Sequence, residues 1–377
     1  IISYILIFFN SNLLSDENNN TLKIGLLAPF SGEYKDLGES LLYSLQLALS
    51  EINDKKVFVI PRDSGSNNKE KLIRAVEEIR SEGANIIIGP INNNDFNEVK
   101  RFNDLVFISP SNINPDFQNN IISIGISFES QISSLMRFLK KNERKKTVIL
   151  LPNNQYTKLI ENKLKKLQLK NYRIFKYNPD PKVLTGEIEI LTNYSQRKKN
   201  LELRKKIFED KDDEQSKREI EKLEQKYTLG DVNFDSVIII DFGNSLKSVL
   251  ASLVFSDVSQ EKVLFTTLNQ WFDESIFYEN TIKSLYYPSV NYKEFKKYKE
   301  NYFKIFNNFP SEITILTYDA MGLIYYVWKK NGKINSVNDF SFKGRVKGKI
   351  GTFSFDNKRI IQDLDIYKAE KNKFIKF

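Results

Sequence analysis

The 377-residue sequence contains no cysteine and no histidine. Those two absences together exclude disulfides, thiol nucleophiles, Ser-His-Asp triads and the commonest zinc sites. An enzyme built from this chain is left with carboxylates, Lys, Tyr and Ser, which are scattered without a recognisable spacing. No catalytic residue, metal ligand or cofactor is therefore assigned. A long apolar run is missing too. Ile1 to Phe9 (IISYILIFF), inside a signal-like segment 1–17, suits the centre of a secretory signal but falls short of a ~20-residue membrane span. No small-x-small cleavage site follows it, and no Cys that could carry a lipid, so export without lipid anchoring is expected. The chain does not begin with Met, leaving room for a basic leader ahead of it. A non-cleaved anchor or a plain N-terminal strand is the alternative.

What the chain does contain is enough apolar material, 41% of residues, to fill two cores, and its length calls for two lobes. The net charge of +9 is spread along the whole sequence. Runs such as Arg197-Lys198-Lys199 lie beside acidic residues and lack interleaved aromatics, so nucleic acid is not expected as a partner.

Lys23 to Ala28 reads as a buried strand, Phe30 to Glu33 as a turn, and the residues from Gly38 to Asn53 as a helix with Leu41, Leu45, Ala48 and Ile52 on one face. The pattern then repeats: strand Val57–Pro61, helix Lys69–Gly83, strand Ala84–Ile88, short helix Asp95–Asn103, strand Val106–Ser109. Alternation at this spacing predicts a parallel sheet covered by helices, with ligands at the carboxyl edges of its strands. A second series follows, with helix Phe128–Lys141, strand Thr147–Leu151, helix Thr157–Leu167, strand Tyr172–Tyr177, strand Phe234–Asp241, helix Asn244–Phe255 and strand Val263–Thr267. The aromatic stripe Phe295, Tyr298, Tyr302 and Phe306 is expected in a core rather than as a stacking platform. Ile313–Lys329 is a further helix, and the residues from Phe342 onward form closing strands.

The order Lys23-Ile24-Gly25, Pro29-Phe30-Ser31-Gly32, Glu51-Ile52-Asn53, Gly83-Ala84, Gly89-Pro90 and Ser109-Pro110-Ser111 resembles the type I periplasmic-binding-protein family. The resemblance continues through Thr147–Leu151, Tyr156, Phe234–Ile239 and Tyr318-Asp319-Ala320. It implies an α/β fold of two doubly wound lobes joined by hinge crossings. The first lobe is expected over 22–127 plus 268–350, and the second over 128–267 plus 351–377. It also implies a small polar ligand or a regulatory contact in the cleft between lobes. The candidate ligand-binding residues are Ser31, Gly32, Tyr34, Asn92, Asn93, Ser111 and Asn112 from the first lobe, Tyr156 and Asp241 from the second, Trp271 near a crossing, and Asp319 on the late helix. Capping or core roles are the bland alternative at each.

Two departures narrow the resemblance. Ile113 stands where amino-acid receptors of this family commonly offer Thr. A hydrogen bond to a charged group contributes ~1.5–3 kcal/mol, so carboxylate capture should weaken roughly tenfold or more. The other is a highly charged insertion, 187–229, in the second lobe. Its Tyr194, Leu201 and Phe208, then Ile220, Leu223 and Tyr227, recur at helical steps around a turn at Lys211-Asp212-Asp213, which reads as a helical hairpin or, alternatively, as disorder. With Leu151-Pro152-Asn153-Asn154-Gln155-Tyr156 and Trp271, it resembles the penicillin-binding-protein activator branch. That resemblance implies a non-enzymatic periplasmic protein whose partner is a peptidoglycan synthase or other envelope protein. The alternatives are an ABC-importer receptor for an amino-acid-like or small polar solute, and a cleft enzyme using carboxylates.

Overall fold

The computed structural model describes residues 21–111, 120–211, 213–279, 282–341, 344–349, 351–356 and 359–377. The apolar segment 1–9 and the positions Asn112, Ile113 and Asp212 lie outside them. The chain divides into two compact units. Unit 1 comprises 1–125, 301–344 and 355–360, and unit 2 comprises 126–300, 345–354 and 361–377.

In unit 1 the chain runs β1 (Leu22–Ala28), α1 (Lys35–Ile52), β2 (Val57–Asp63), α2 (Lys69–Ser81), β3 (Ile86–Ile88), α3 (Phe96–Val99), β4 (Val106–Ser109) and β5 (Ile121–Ser123). The five strands form one parallel sheet in the order β2-β1-β3-β4-β5. Buried strands read as continuous apolar runs because helices cover both faces; Ile86–Ile88 is fully buried, and so is nearly all of β1. β2 runs two residues past the expected end at Pro61, which pairs with Leu26. Proline has no N–H to give a ladder, and an edge strand tolerates that. The helix expected over 95–103 is shorter, with a 3-10 turn (Asn93–Asp95) leading into α3.

Unit 2 continues with α4 (Phe128–Lys141), β6 (Thr147–Pro152), α5 (Thr157–Lys166), β7 (Tyr172–Tyr177), α6 (Pro181–Thr192), α7 (Tyr194–Glu209), α8 (Glu214–Glu224), β8 (Ser236–Ile239), α9 (Gly243–Phe255), β9 (Leu264–Thr267), β10 (Leu285–Ser289) and the start of α10 (Tyr292–Phe306). After α11 (Thr314–Asn331), which packs on α1, come β11 (Arg345–Lys347), β12 (Thr352–Asp356), β13 (Arg359–Asp363), β14 (Asp365–Glu370) and β15 (Lys373–Lys376). The second sheet has the order β15-β14-β10-β9-β8-β6-β7, parallel from β10 to β7, with β14 and β15 antiparallel. β11, β12 and β13 make a small third sheet.

Segment 268–300 differs from the sequence expectation. The sequence places it in the first lobe, yet β10 is an interior strand of the second sheet, held between β9 and β14. Tyr287 lies in that unit's core, and Phe272 packs beside it. The aromatic stripe of α10 is buried at Phe295, Tyr298 and Tyr302, as expected of core.

The charged insertion is a helical hairpin, α7 and α8. Leu201 and Leu223 are buried in its seam, whereas Tyr227, expected there, is 76% exposed, because α8 ends before it. Arg197 is 6% exposed. Its Nε donates to Gly230 O (3.0 Å), Nη1 to Ser256 O (3.0 Å), and Nη2 to Thr228 Oγ1 (2.7 Å) and Asp257 O (2.8 Å). One guanidinium thus ties α7 to the loops at both ends of the segment carrying β8 and α9.

Candidate functional site

Among the described residues of unit 1, the loops leaving the carboxyl ends of β1, β2 and β3 converge on a pocket of about 270 Å³. The strand order reverses between β1 and β3, the place where open α/β sheets leave a crevice. Pro29, Leu37 and Ile91 form apolar walls, and Tyr34, Ser64, Ser66, Asn67, Asn92 and Asp95 supply polar groups. The volume falls just below the ~300–1,000 Å³ range of drug-sized ligand sites, which suits a molecule of amino-acid size.

Asp63, at the end of β2, organises the loops. Its Oδ1 accepts from the N–H groups of Phe30 (2.9 Å) and Gly65 (2.9 Å), and Oδ2 pairs with Lys71 Nζ at 2.5 Å. Lys71 also donates to Ser31 Oγ (3.0 Å), and Ser66 Oγ donates to Ser31 O (3.0 Å). Burial opposes ionisation of Asp63, but Lys71, Ser31 and the two N–H groups outweigh it and hold the carboxyl down at about 2. Gly32 has φ +78°, and a Cβ there would stand 2.7 Å from Ser66 Oγ, so both backbone conformation and space call for glycine.

Asp95 is the opposite case. Burial first, and Glu98 nearby second, push its carboxyl up to about 6. Glu98 is engaged by Lys69 and Arg101, whereas no described residue donates a hydrogen bond to the Asp95 carboxylate. A half-buried carboxylate without a partner on a pocket wall offers charge to whatever enters.

The structure places the sequence candidates unevenly. Tyr34 and Asn92 line the pocket, and Ser31 and Gly32 brace its rim. Asn93 opens the 3-10 turn that carries Asp95. Ser111 is buried away from the pocket, its N–H donating to Ser109 Oγ (3.1 Å) and its O accepting from Ser123 Oγ (2.5 Å). Asp319 is buried within α11 rather than at its start.

In unit 2, Tyr156 is 54% exposed ahead of α5. Asp241 is held by its own unit: Tyr177 and Ser245 hydroxyls and the Phe242 N–H all donate to its carboxylate. Burial first, and Asp241 second, drive the Tyr177 hydroxyl far above its ordinary value. Trp271 has φ +52° and stacks on Phe295 at 5.8 Å, beside a cavity of about 20 Å³, room for roughly one water.

Asp63, Ser64, Ser66, Asn67, Lys71 and Asp95 were missed by sequence reasoning. Arg62 to Asn68 follows the strand expected over Val57–Pro61, and the strand-edge rule that selects the loops beside it selects this one too.

A family profile described as "Periplasmic binding protein" matches residues 21–171. No curated protein matches the sequence. Among solved structures, the chain is similar to a putative branched-chain amino acid ABC transporter protein from Rhodospirillum rubrum, at 10% identity and TM-score 0.72, covering 95% of this chain and 100% of that one. It is also similar to full-length LpoA from Haemophilus influenzae, at 13% identity and TM-score 0.62, covering 95% of this chain and 59% of that one. A third is a solute binding protein of an ABC transporter from Rhodopseudomonas palustris, in complex with 3,4-dihydroxy benzoic acid, at 13% identity and TM-score 0.59, covering 95% and 96%. The fold is that of the type I periplasmic binding proteins. No helix among the described residues is long and apolar enough to cross a membrane.

Proposed function

We propose that the chain is an exported, non-enzymatic member of the periplasmic binding protein family whose first unit takes a small ligand bearing an ammonium or amidinium group. The unpartnered Asp95 carboxylate on the wall of the unit 1 pocket carries this reading. The pocket is lined by one carboxylate and no cation, since Lys71 is committed to Asp63, so a cationic donor suits it better than an anion. Apolar walls beside a few convergent polar groups match the usual build of a ligand site. The solute-binding proteins among the fold neighbours support a receptor role of this kind, such as delivery to an ABC importer.

A thermal-shift panel of amines, amino acids, polyols and aromatic acids tests this. At least one amine should raise the unfolding temperature saturably, and polyols and aromatic acids should not. The reading fails if no amine stabilises the protein or if the stabilising compounds are anions.

The helical hairpin supports a second reading, a penicillin-binding-protein activator-like regulator. Leu203 and Ile207 lie one turn apart on α7 at 59% and 50% exposure and give the hairpin an adjacent apolar pair on its outer surface. LpoA is among the fold neighbours. Capture of a peptidoglycan synthase, lost when the α7 surface is altered, would favour this role over solute delivery.

A further inference from the structure

Unit 2 carries a larger open cavity, of about 730 Å³, at the other edge of its sheet from Asp241 and Tyr156. It lies where β6 and β7 begin, bounded by the last turns of α4, the turn after it, and the loop ahead of β7. Met136, Leu139 and Leu169 provide an apolar floor. Around it stand Arg137, Lys140, Arg144, Lys145 and Lys170, five cations against the single carboxylate Glu143.

None of these cations forms an ion pair among the described residues; Arg144 is the half-buried one, whereas half-buried Lys163, Lys247 and Lys368 elsewhere each pair with a carboxylate. Arg137 Nη2 donates to Ser134 Oγ (3.2 Å), a neutral partner on its own helix. Arg144 is half-buried; its Nη1 donates to Lys262 O (3.0 Å), and its buried Nε has no acceptor. An N–H covered by protein and left without an acceptor costs about 1–3 kcal/mol. The nearby Asp235 carboxylate accepts the backbone N–H groups of Lys145 and Lys146 and forms no ion pair with the cationic side chains, so it offsets part of their charge without engaging them. Lys140 sits in the last turn of α4, where cations ordinarily complement the carbonyl end of a helix. Arg144, Lys145 and Lys170 lie beyond that helix, so its dipole does not account for them.

We infer that this cavity binds an organic anion with an apolar body, a carboxylate or phosphate monoester whose tail covers Met136, Leu139 and Leu169 while its charge meets Arg144, Lys145 and Lys170. The size matches a drug-sized ligand, larger than the unit 1 pocket admits. The inference stands independently of the amine site. Like-signed side chains that outnumber the carboxylates beside them repel one another, and an anion relieves that repulsion as it binds.

Octyl phosphate below its micellar concentration is the probe, with octyl glucoside as the uncharged control, followed by calorimetry. One molecule should bind per chain, at least tenfold tighter than the glucoside and more weakly as salt rises from 0.05 to 0.5 M, roughly the span over which surface charges become screened. The exposed pair Lys145→Glu/Lys170→Glu should weaken it at least tenfold, and Lys145→Gln/Lys170→Gln less, with unfolding midpoints unchanged. Flotation with vesicles of phosphatidylglycerol distinguishes a lipid headgroup from a free anion as the source. Equal binding of phosphate and glucoside, no saturable binding of either, or affinity unmoved by the double charge reversal would each overturn the inference.

Discussion

Replacing Arg197 by Met is expected to destabilise the protein by about 3–5 kcal/mol, because several buried acceptors lose their donor together and each one left unsatisfied costs ~1–3 kcal/mol. The guanidinium satisfies Gly230 O, Ser256 O, Asp257 O and Thr228 Oγ1. Methionine fills much of the volume but leaves those acceptors dry. Burial works against the charge and lowers the Arg197 pKa, with Asp257, Asp231 and Tyr194 opposing the shift. The residue is therefore held in place by geometry rather than by cheap solvation. Lysine should recover little, because one ammonium cannot span acceptors in the directions that a planar fork does. Urea unfolding followed by far-UV circular dichroism checks the magnitude. Hydrogen exchange should show protection lost first in α7 and α8, while loss of less than about 1 kcal/mol would mean the network is dispensable.

The second large effect is expected at Gly38, inside α1. On propensity alone, Gly to Ala within a helix should stabilise by ~1 kcal/mol. Here a Cβ would lie 2.1 Å from Pro29 O and 2.6 Å from Pro29 C, both backbone atoms of the loop leaving β1. Overpacking of that kind costs ~1–3 kcal/mol, toward the upper end when neither side is a flexible side chain, so the clash wins. Gly38→Ala should lose about 2 kcal/mol net. It should also weaken ligand binding, since Pro29 is a wall of the unit 1 pocket. Gly322 in α11 has nothing within 4 Å of a Cβ and serves as the control, where alanine should stabilise. If both substitutions behave alike, the close approach of α1 to the β1 loop is not what fixes Gly38.

These two residues mark where sequence reading stops. Strands and helices of both units were legible because Leu22–Ala28, Ile86–Ile88 and Thr147–Pro152 are continuous apolar runs and α2 and α4 carry one apolar face each. Local periodicity registers such patterns. Arg197 was legible only as part of a surface charge run, because its acceptors lie 31 to 60 positions away. The sheet that takes β10 is not legible, because a short apolar strand reads the same whichever sheet receives it. Within the site, the loop rule found Tyr34 and Asn92, but Asp95 is distinguished from other surface aspartates only by burial, which no spacing encodes.

The Asp95 carboxyl also contributes to the pH dependence, opposite in sign to depressed carboxyls such as Asp63. Its folded-state value of about 6 lies above the ordinary 3.8, so the folded protein binds the extra proton between those values and loses stability as pH rises through that window. Asp95→Asn should therefore stabilise the unliganded protein at pH 7.5, by roughly 1 kcal/mol after discounting for its partial exposure. The same substitution should cost the ligand a charged hydrogen bond of about 1.5–3 kcal/mol. Calorimetric titration of the best amine at pH 7.5 and pH 5 tests this most directly. Affinity should fall roughly tenfold on protonating the carboxyl, and fall as far at pH 7.5 in Asp95→Asn. Affinity indifferent to both changes would contradict the assignment of the unit 1 pocket as the ligand site.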